Sequence, residues 1–234
     1  MQVTRTLAKW LTNYDSQKSP GSKFRAKRIR PLLQMIESIY KEKGSVTIID
    51  LGGTLQYWGI VSSKYLGDHN VSITIVNLPG TAMPEDHGLF RFLEADACDL
   101  ACFEDNSFDI AHSNSVVEHV GDWERMVKFS EEIKRLSKNY FCQTPNYWFP
   151  IEPHCMTPFF HWLPKPMRLQ LVSNFQLGHW SKATSIDDSV RIVESARLLN
   201  KKMMRALFSD ASIVTERFAY LPKSFVAIRN EKDT

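Results

Sequence analysis

Val46-Thr-Ile-Ile-Asp-Leu-Gly-Gly-Thr54 decides how this chain is to be read. A short β-branched run ends in an acidic residue and two glycines, as a buried strand does where it breaks into a ligand-binding turn. Val46, Ile48 and Ile49 suit burial on both faces of a parallel sheet. Gly52 and Gly53 permit a tight turn and let a ligand approach the backbone without meeting a Cβ. Open α/β sheets bind ligands at this kind of place, the carboxyl end of a strand where strand order reverses.

Outward from that stretch, strand patterns recur. Val71 to Asn77, Phe90 to Ala95, Phe108 to Ser113 and Tyr140 to Thr144 follow the first strand. Helical spacing falls between several of them, most clearly over Trp123 to Ser137, where Met126, Phe129, Ile133 and Leu136 share a face. Before the first strand, Phe24, Ile29, Leu32, Leu33, Ile36 and Ile39 also keep helical spacing, with Pro31 able to start or kink that helix. Alternating strands and helices predict right-handed βαβ units and a parallel sheet. Ser189 to Phe208 reads as one helix. Ile213 to Leu221 and Ser224 to Arg229 then read as two strands joined at Leu221-Pro-Lys223. The expected fold is α/β, a doubly wound mixed sheet that finishes with an antiparallel strand. Pro145 to Trp180, rich in aromatics, Pro and His, is read as an insertion of the lid or binding-loop kind. Residues 1–22 read as a basic leader and residues 23–234 as one domain, with the insertion at about 145–180.

At 234 residues and 43% hydrophobic, the chain can bury a full core. It has no apolar run of about eighteen residues, so no membrane span is expected. Met1 to Leu11 lacks the continuous apolar segment of a secretory signal, and a cytoplasmic location is expected. Cys98, Cys102, Cys142 and Cys155 lack the second pair or the histidine spacing of a zinc site, and no metal is expected. The net charge of +3 hides an uneven distribution. Arg5, Lys9, Lys18, Lys23, Arg25, Lys27, Arg28, Arg30, Lys41 and Lys43 crowd the start, against Asp15, Glu37 and Glu42. Such a stretch can attract phosphate or nucleic acid, and can equally be the solvated side of a helix. No aromatics interleave with it as a single-strand binding face requires, so nucleic acid is not the expected partner.

The order of elements, the turn Asp50-Leu-Gly-Gly53 and the stretch Phe108-Asp-Ile-Ala-His-Ser-Asn-Ser-Val-Val-Glu-His-Val120 resemble class I S-adenosylmethionine-dependent methyltransferases. The small-molecule branch called methyltransferase type 11 is the nearest in pattern. The resemblance spans roughly residues 24 to 230 and includes Glu216-Arg-Phe-Ala-Tyr-Leu-Pro-Lys-Ser224 before the last strand. It implies a Rossmann-like methyltransferase fold with S-adenosylmethionine as cofactor and S-adenosylhomocysteine as product. Asp50, Gly52 and Gly53 would flank the methionine part of the cofactor, with Thr54 able to supply a hydroxyl. Asn77 and Leu78 would meet the ribose end, Asp96 and Ala97 the adenine, and Ser113 and Asn114 the methyl-transfer face.

Two departures from the family pattern matter. Thr54, Leu55 and Gln56 stand where the glycine-rich turn usually continues, and Asn77 stands where a carboxylate is usual. An amide accepts through one oxygen and donates through its nitrogen, whereas a carboxylate can accept from both ribose hydroxyls. A dinucleotide fold is the nearest rival, but Gly52-Gly-Thr-Leu-Gln-Tyr-Trp-Gly59 does not supply the Gly-x-Gly-x-x-Gly that seats a pyrophosphate.

For the chemistry, Asn146-Tyr-Trp-Phe-Pro-Ile-Glu-Pro-His154 follows strand five directly, which places it over the carboxyl edge of the sheet. A hydroxyl acceptor benefits from a base there, and His154 is the candidate. His119, Tyr147, Trp148, Glu152 and His161 are the candidate contacts to a small-molecule or glycan-like acceptor. Phe149, Phe159, Phe160 and Trp162 would wall the acceptor pocket or merely cover the sheet end. His161 and His179, beside tryptophans, also fit a packing role, and a helix start suffices to explain Glu118. Two further readings stay open: a methyltransferase-like binding protein without turnover, and an RNA methyltransferase guided by the basic leader.

Overall fold

The computed structural model describes residues 28–178 and 180–233. The leader at residues 1–22, the beginning of the first helical pattern and His179 lie outside the described residues. Seven strands form one sheet: β1 (Val46–Leu51), β2 (Val71–Asn77), β3 (Phe90–Glu94), β4 (Ile110–Asn114), β5 (Tyr140–Pro145), β8 (Ser212–Phe218) and β9 (Leu221–Arg229). Their spatial order is β3-β2-β1-β4-β5-β9-β8. β1 to β5 run parallel, and β9 lies antiparallel between β5 and β8. Strand order reverses between β1 and β4, so the crevice at their carboxyl ends is where this topology binds a ligand.

Adjacent residues of a strand face opposite sides, and both sides are buried here. Ile48 and Ile73 pack with Leu32, Met35, Ile36 and Trp58 on one face. Ile49 and Leu51 pack with Met126, Phe129, Ile133 and Met204 on the other. The first face is covered by α1 (Arg30–Lys43), in which Pro31 occupies the first turn. Gly44 ends α1 at φ 73°, donating its N–H to the Tyr40 carbonyl at 2.8 Å. The second face is covered by α4 (Trp123–Leu136), capped by the Asp122 carboxylate accepting from the Arg125 N–H. Between β1 and β2 lie two short helices, α2 (Leu55–Trp58) and α3 (Ser63–Asp68).

Three sequence expectations change. The fourth strand starts at Ile110 rather than Phe108, because Asp109 turns its carboxylate onto the Thr47 N–H and hydroxyl, each at 2.9 Å. The single helix expected over Ser189 to Phe208 is two, α6 (Ile186–Glu194) and α7 (Lys201–Leu207). The Arg197 N–H donates to the Glu118 carbonyl at 2.7 Å and the Tyr147 N–H to the Leu199 carbonyl at 2.9 Å. Asn200 then caps α7 by accepting from the Lys202 and Met203 N–H groups. The final turn is Ala219-Tyr220 rather than Leu221-Pro-Lys223. Both turn residues are left-handed, at φ 48° and 68°, as a two-residue hairpin of right-twisted strands demands.

After β5 the chain forms a small hairpin, β6 (Ile151–Glu152) with β7 (Thr157–Pro158), a 3₁₀ turn at Phe160–Trp162 and α5 (Lys165–Asn174). These pack with α6 around a satellite core of Cys155, Phe160, Val172 and Val193. Gly178 is needed there, since a Cβ would fall 1.7 Å from the Cys155 carbonyl oxygen.

Candidate active site

The glycine turn is built around a buried carboxylate. Parallel register sets Asp50 opposite His112, and both are fully buried. Asp50 Oδ1 lies 2.7 Å from His112 Nδ1, and Oδ2 accepts from Trp58 Nε1 at 2.7 Å. His112 Nε2 lies 3.0 Å from the Tyr57 hydroxyl. With Nδ1 facing a carboxylate, the ring carries its proton there and accepts from Tyr57 at Nε2. A Cβ on Gly53 would fall 1.8 Å from Asp50 Oδ2. Gly52, at φ 72°, would set a Cβ 2.5 Å from a Val116 methyl. Thr54 caps α2, its hydroxyl accepting from the Tyr57 N–H at 3.3 Å.

A second constellation stands at the carboxyl ends of β4 and β5. The hairpin β6–β7 carries His154 on its connecting loop. Buried Glu152 holds that loop through Oε2, which accepts from the His154 and Cys155 N–H groups at 2.8 Å each. Its Oε1 lies 2.7 Å from His154 Nδ1. Burial acts to lower the His154 pKa, but the hydrogen bond and charge of Glu152 outweigh it and raise the value. Burial likewise opposes ionisation of Glu152, and the His154 ring reverses that and lowers its pKa.

Facing His154 is a 3₁₀ turn at Val117–His119. Glu118 is 1% exposed. Its Oε2 accepts from the Thr144 hydroxyl at 2.9 Å, and its Oε1 is buried without a hydrogen-bond partner. Burial pushes the Glu118 carboxyl up to about 7. His119 turns Nδ1 to the Ser195 carbonyl at 2.6 Å, and its ring meets that of His154 edge-on with centroids 4.7 Å apart.

Beside this cluster is a cavity of about 540 Å³. Tyr147, Phe160, Trp162 and Trp180 contribute aromatic walls, and Lys165, Arg168 and Arg197 contribute positive charge. Glu152 and Ser195, whose oxygens hold the two histidines, line it as well, whereas His119 and His154 themselves do not. His161 is buried and points Nε2 at the Tyr147 carbonyl, 2.7 Å away, as the Trp162 indole does at 2.8 Å. Trp148 is largely exposed.

Among solved structures, a SAM-dependent methyltransferase from Methanosarcina mazei aligns over 83% of this chain and 96% of its own, at 16% identity and a TM-score of 0.50. A possible exported protein from Bordetella parapertussis aligns over 90% of this chain and 69% of its own, at 12% identity and a TM-score of 0.51. At such identities the likeness concerns the fold. No curated protein matches the sequence at a significant level. A family model for the methyltransferase domain matches residues 65–139, from α3 to the foot of β5. By that match residues 65–139 are similar to a methyltransferase domain, and the chain shares the fold of the SAM-dependent methyltransferase from Methanosarcina mazei.

The positions singled out from sequence for the cofactor fall along the carboxyl ends of β1 to β4, with different occupations. Asn77 donates from Nδ2 to the Gly53 carbonyl at 3.0 Å, which ties the end of β2 to the glycine turn. Leu78 is exposed beside it. Asp96, next to Ala97, accepts from the Cys98 N–H and faces Arg125 Nη2 at 2.7 Å. Burial opposes ionisation of Asp96, but Arg125 and the Cys98 amide prevail and lower its pKa. Ser113 is fully buried and donates to the Leu51 carbonyl at 3.0 Å, so its hydroxyl serves the sheet. Asn114 accepts from Arg28 Nη1 at 2.9 Å, and Arg28 also pairs with Glu216 at 2.8 Å.

Sequence reasoning missed the partners of Asp50, because a histidine inside an apolar strand and a Tyr-Trp pair after a turn carry no local signal. It also passed over Glu118. The carboxylate needed no explanation beyond a helix start, whereas the structure buries it against β5. Among the described residues, no helix is long and apolar enough to cross a membrane.

Proposed function

We propose that this chain is a methyltransferase that acts on a hydroxyl of a small-molecule or glycan-like acceptor seated in the cavity beneath the aromatic insertion, with His154 receiving the hydroxyl proton. One observation carries the reading. Buried Glu152 fixes both the loop and the ring of His154, which leaves Nε2 as the nitrogen with a lone pair, beside a cavity that Glu152 itself lines. A base so placed contributes roughly 100- to 10,000-fold. S-adenosylmethionine supplies the methyl group on a sulfonium centre.

The residues present fit that cofactor. Gly52 carries no Cβ at the turn, Asn77 keeps its amide oxygen for a ribose hydroxyl, and exposed Leu78 offers an apolar face for the adenine. Asp96 and Ala97 stand at the next strand end, with the carboxylate able to accept from the adenine amino group. Asp50 supports this cradle from beneath: both its oxygens are held by His112 and Trp58, so it shapes the turn. Holding the two reactants in line is worth roughly 7 to 11 kcal/mol in a displacement of this kind.

Tyr147, Phe160, Trp162 and Trp180 suit the apolar face of a sugar or phenol ring. Arg168, with a buried Nε that has no partner, suits an acceptor carrying an acidic group. In this reading the insertion is the acceptor lid and the cytoplasm is the compartment of work. The test is methyl transfer from labelled S-adenosylmethionine to a panel of glycosides, phenols and sugar phosphates. His154→Ala should lower turnover at least 100-fold on the acceptor found while leaving S-adenosylhomocysteine binding within threefold. Wild-type turnover in that variant would remove His154 from its role.

A further inference from the structure

One donor atom each from Glu118, His119 and His154 lies within 4.8 Å of the other two. What converges there is a set of acceptors. His119 turns Nδ1 outward to the Ser195 carbonyl, and His154 turns Nδ1 outward to the Glu152 carboxylate. Each neutral ring so oriented keeps its lone pair on Nε2. The third member is Glu118, whose Oε1 is a buried carboxylate oxygen with no hydrogen-bond partner. A buried unpaired carboxylate oxygen is expensive, and native structures resolve such a group with a partner. A water offers two protons to three lone pairs. A cation satisfies all three.

We infer that Glu118, His119 and His154 bind a divalent transition-metal ion at the carboxyl edge of β4 and β5. Two imidazoles and one carboxylate select zinc, cobalt, manganese or iron in the divalent state over magnesium or calcium. The two outward N–H bonds, to Ser195 and Glu152, are the supports that orient metal-ligating histidines and fix their tautomers. Ligands around zinc stand about 2.0–2.2 Å from the ion, so tetrahedral neighbours are roughly 3.4 Å apart. The cluster therefore closes by up to about 1.4 Å on binding, within the reach of side-chain rotation at His119 and His154.

The site rests on the methyltransferase reading for its purpose. It lies where that reading brings the acceptor hydroxyl, and a bound ion there acidifies a coordinated oxygen. In the ion-bound protein His154 is a ligand, and in the ion-free protein it is the proton acceptor. Spacing carries no signal for such a site, since 34 residues lie between His119 and His154.

The test is titration of chelator-treated full-length protein with cobalt(II) and zinc(II), followed by calorimetry and by the visible spectrum of bound cobalt. Wild type should take one ion per chain in a site of nitrogen and oxygen ligands. Glu118→Gln and His154→Asn should weaken binding at least tenfold, and Glu152→Gln roughly 10- to 100-fold through lost support of the ring. Melting with S-adenosylhomocysteine shows that each variant is folded. A wild type that takes no ion at millimolar concentration, or variants that bind as tightly as wild type, would overturn the site. S-adenosylhomocysteine binding without ion binding overturns the ion site alone. Ion binding without S-adenosylhomocysteine binding upholds the site and counts against the methyltransferase reading.

Discussion

Asn77 shows at single-residue scale how a departure from a family pattern becomes intelligible. A carboxylate at this position would set a negative oxygen about where Nδ2 now donates to the Gly53 carbonyl, 3.0 Å away. Asn77→Asp therefore weakens S-adenosylhomocysteine binding by roughly three- to tenfold, the worth of one lost hydrogen bond. Calorimetry that found tighter binding would refute this account of the turn. Gly53→Ala meets a carboxylate that cannot move, because Asp50 is locked by His112 and Trp58. Strain of that kind costs about 1–3 kcal/mol or more, to be read from denaturant unfolding. Glu118 runs the other way. Its buried unpaired oxygen destabilises the ion-free fold, so Glu118→Gln should melt higher than wild type in chelator, by about 1–3 kcal/mol of stability. The order should reverse when cobalt is added.

At the scale of elements, most of the sheet could be read from sequence. β-branched runs bounded by glycines and acids marked β1 and β2, and the helical face of α4 was plain in Met126, Phe129, Ile133 and Leu136. What escaped were joints decided by tertiary partners. The break between α6 and α7 exists because Glu118 and Tyr147 use the backbone between them, and no propensity records that. The final hairpin was misplaced because Pro222 and Lys223 look like a turn, whereas Ala219 and Tyr220 make it against their own preference. Non-glycine residues in left-handed geometry cost about 1 kcal/mol or more each. Replacing Ala219-Tyr220 by Asn-Gly, the pair this turn favours, should raise the melting midpoint by roughly 2–4 °C. An unchanged or lower midpoint would show that the turn is not strained.

For the whole molecule, the parallel sheet sets β1 beside β4, and that neighbourhood makes the crevice on which both the glycine turn and the Glu118 turn open. The fold was largely legible, and the positions proposed for the cofactor stand at strand ends because those follow from strand order. The acceptor end was legible only in part. His154 and Glu152 could be placed over the edge, but their coupling to Glu118 and His119 depends on how the insertion folds around its own core. The measurement that bears most directly on the account is a thermal melt of the pure protein with S-adenosylhomocysteine, with NAD as control. At about 100 times its dissociation constant a ligand stabilises by roughly 2.7 kcal/mol. For a chain of this size that predicts a rise of roughly 5–10 °C with S-adenosylhomocysteine and none with NAD. No rise at millimolar S-adenosylhomocysteine, or a rise with NAD instead, would contradict the assignment of the crevice to the methyl donor.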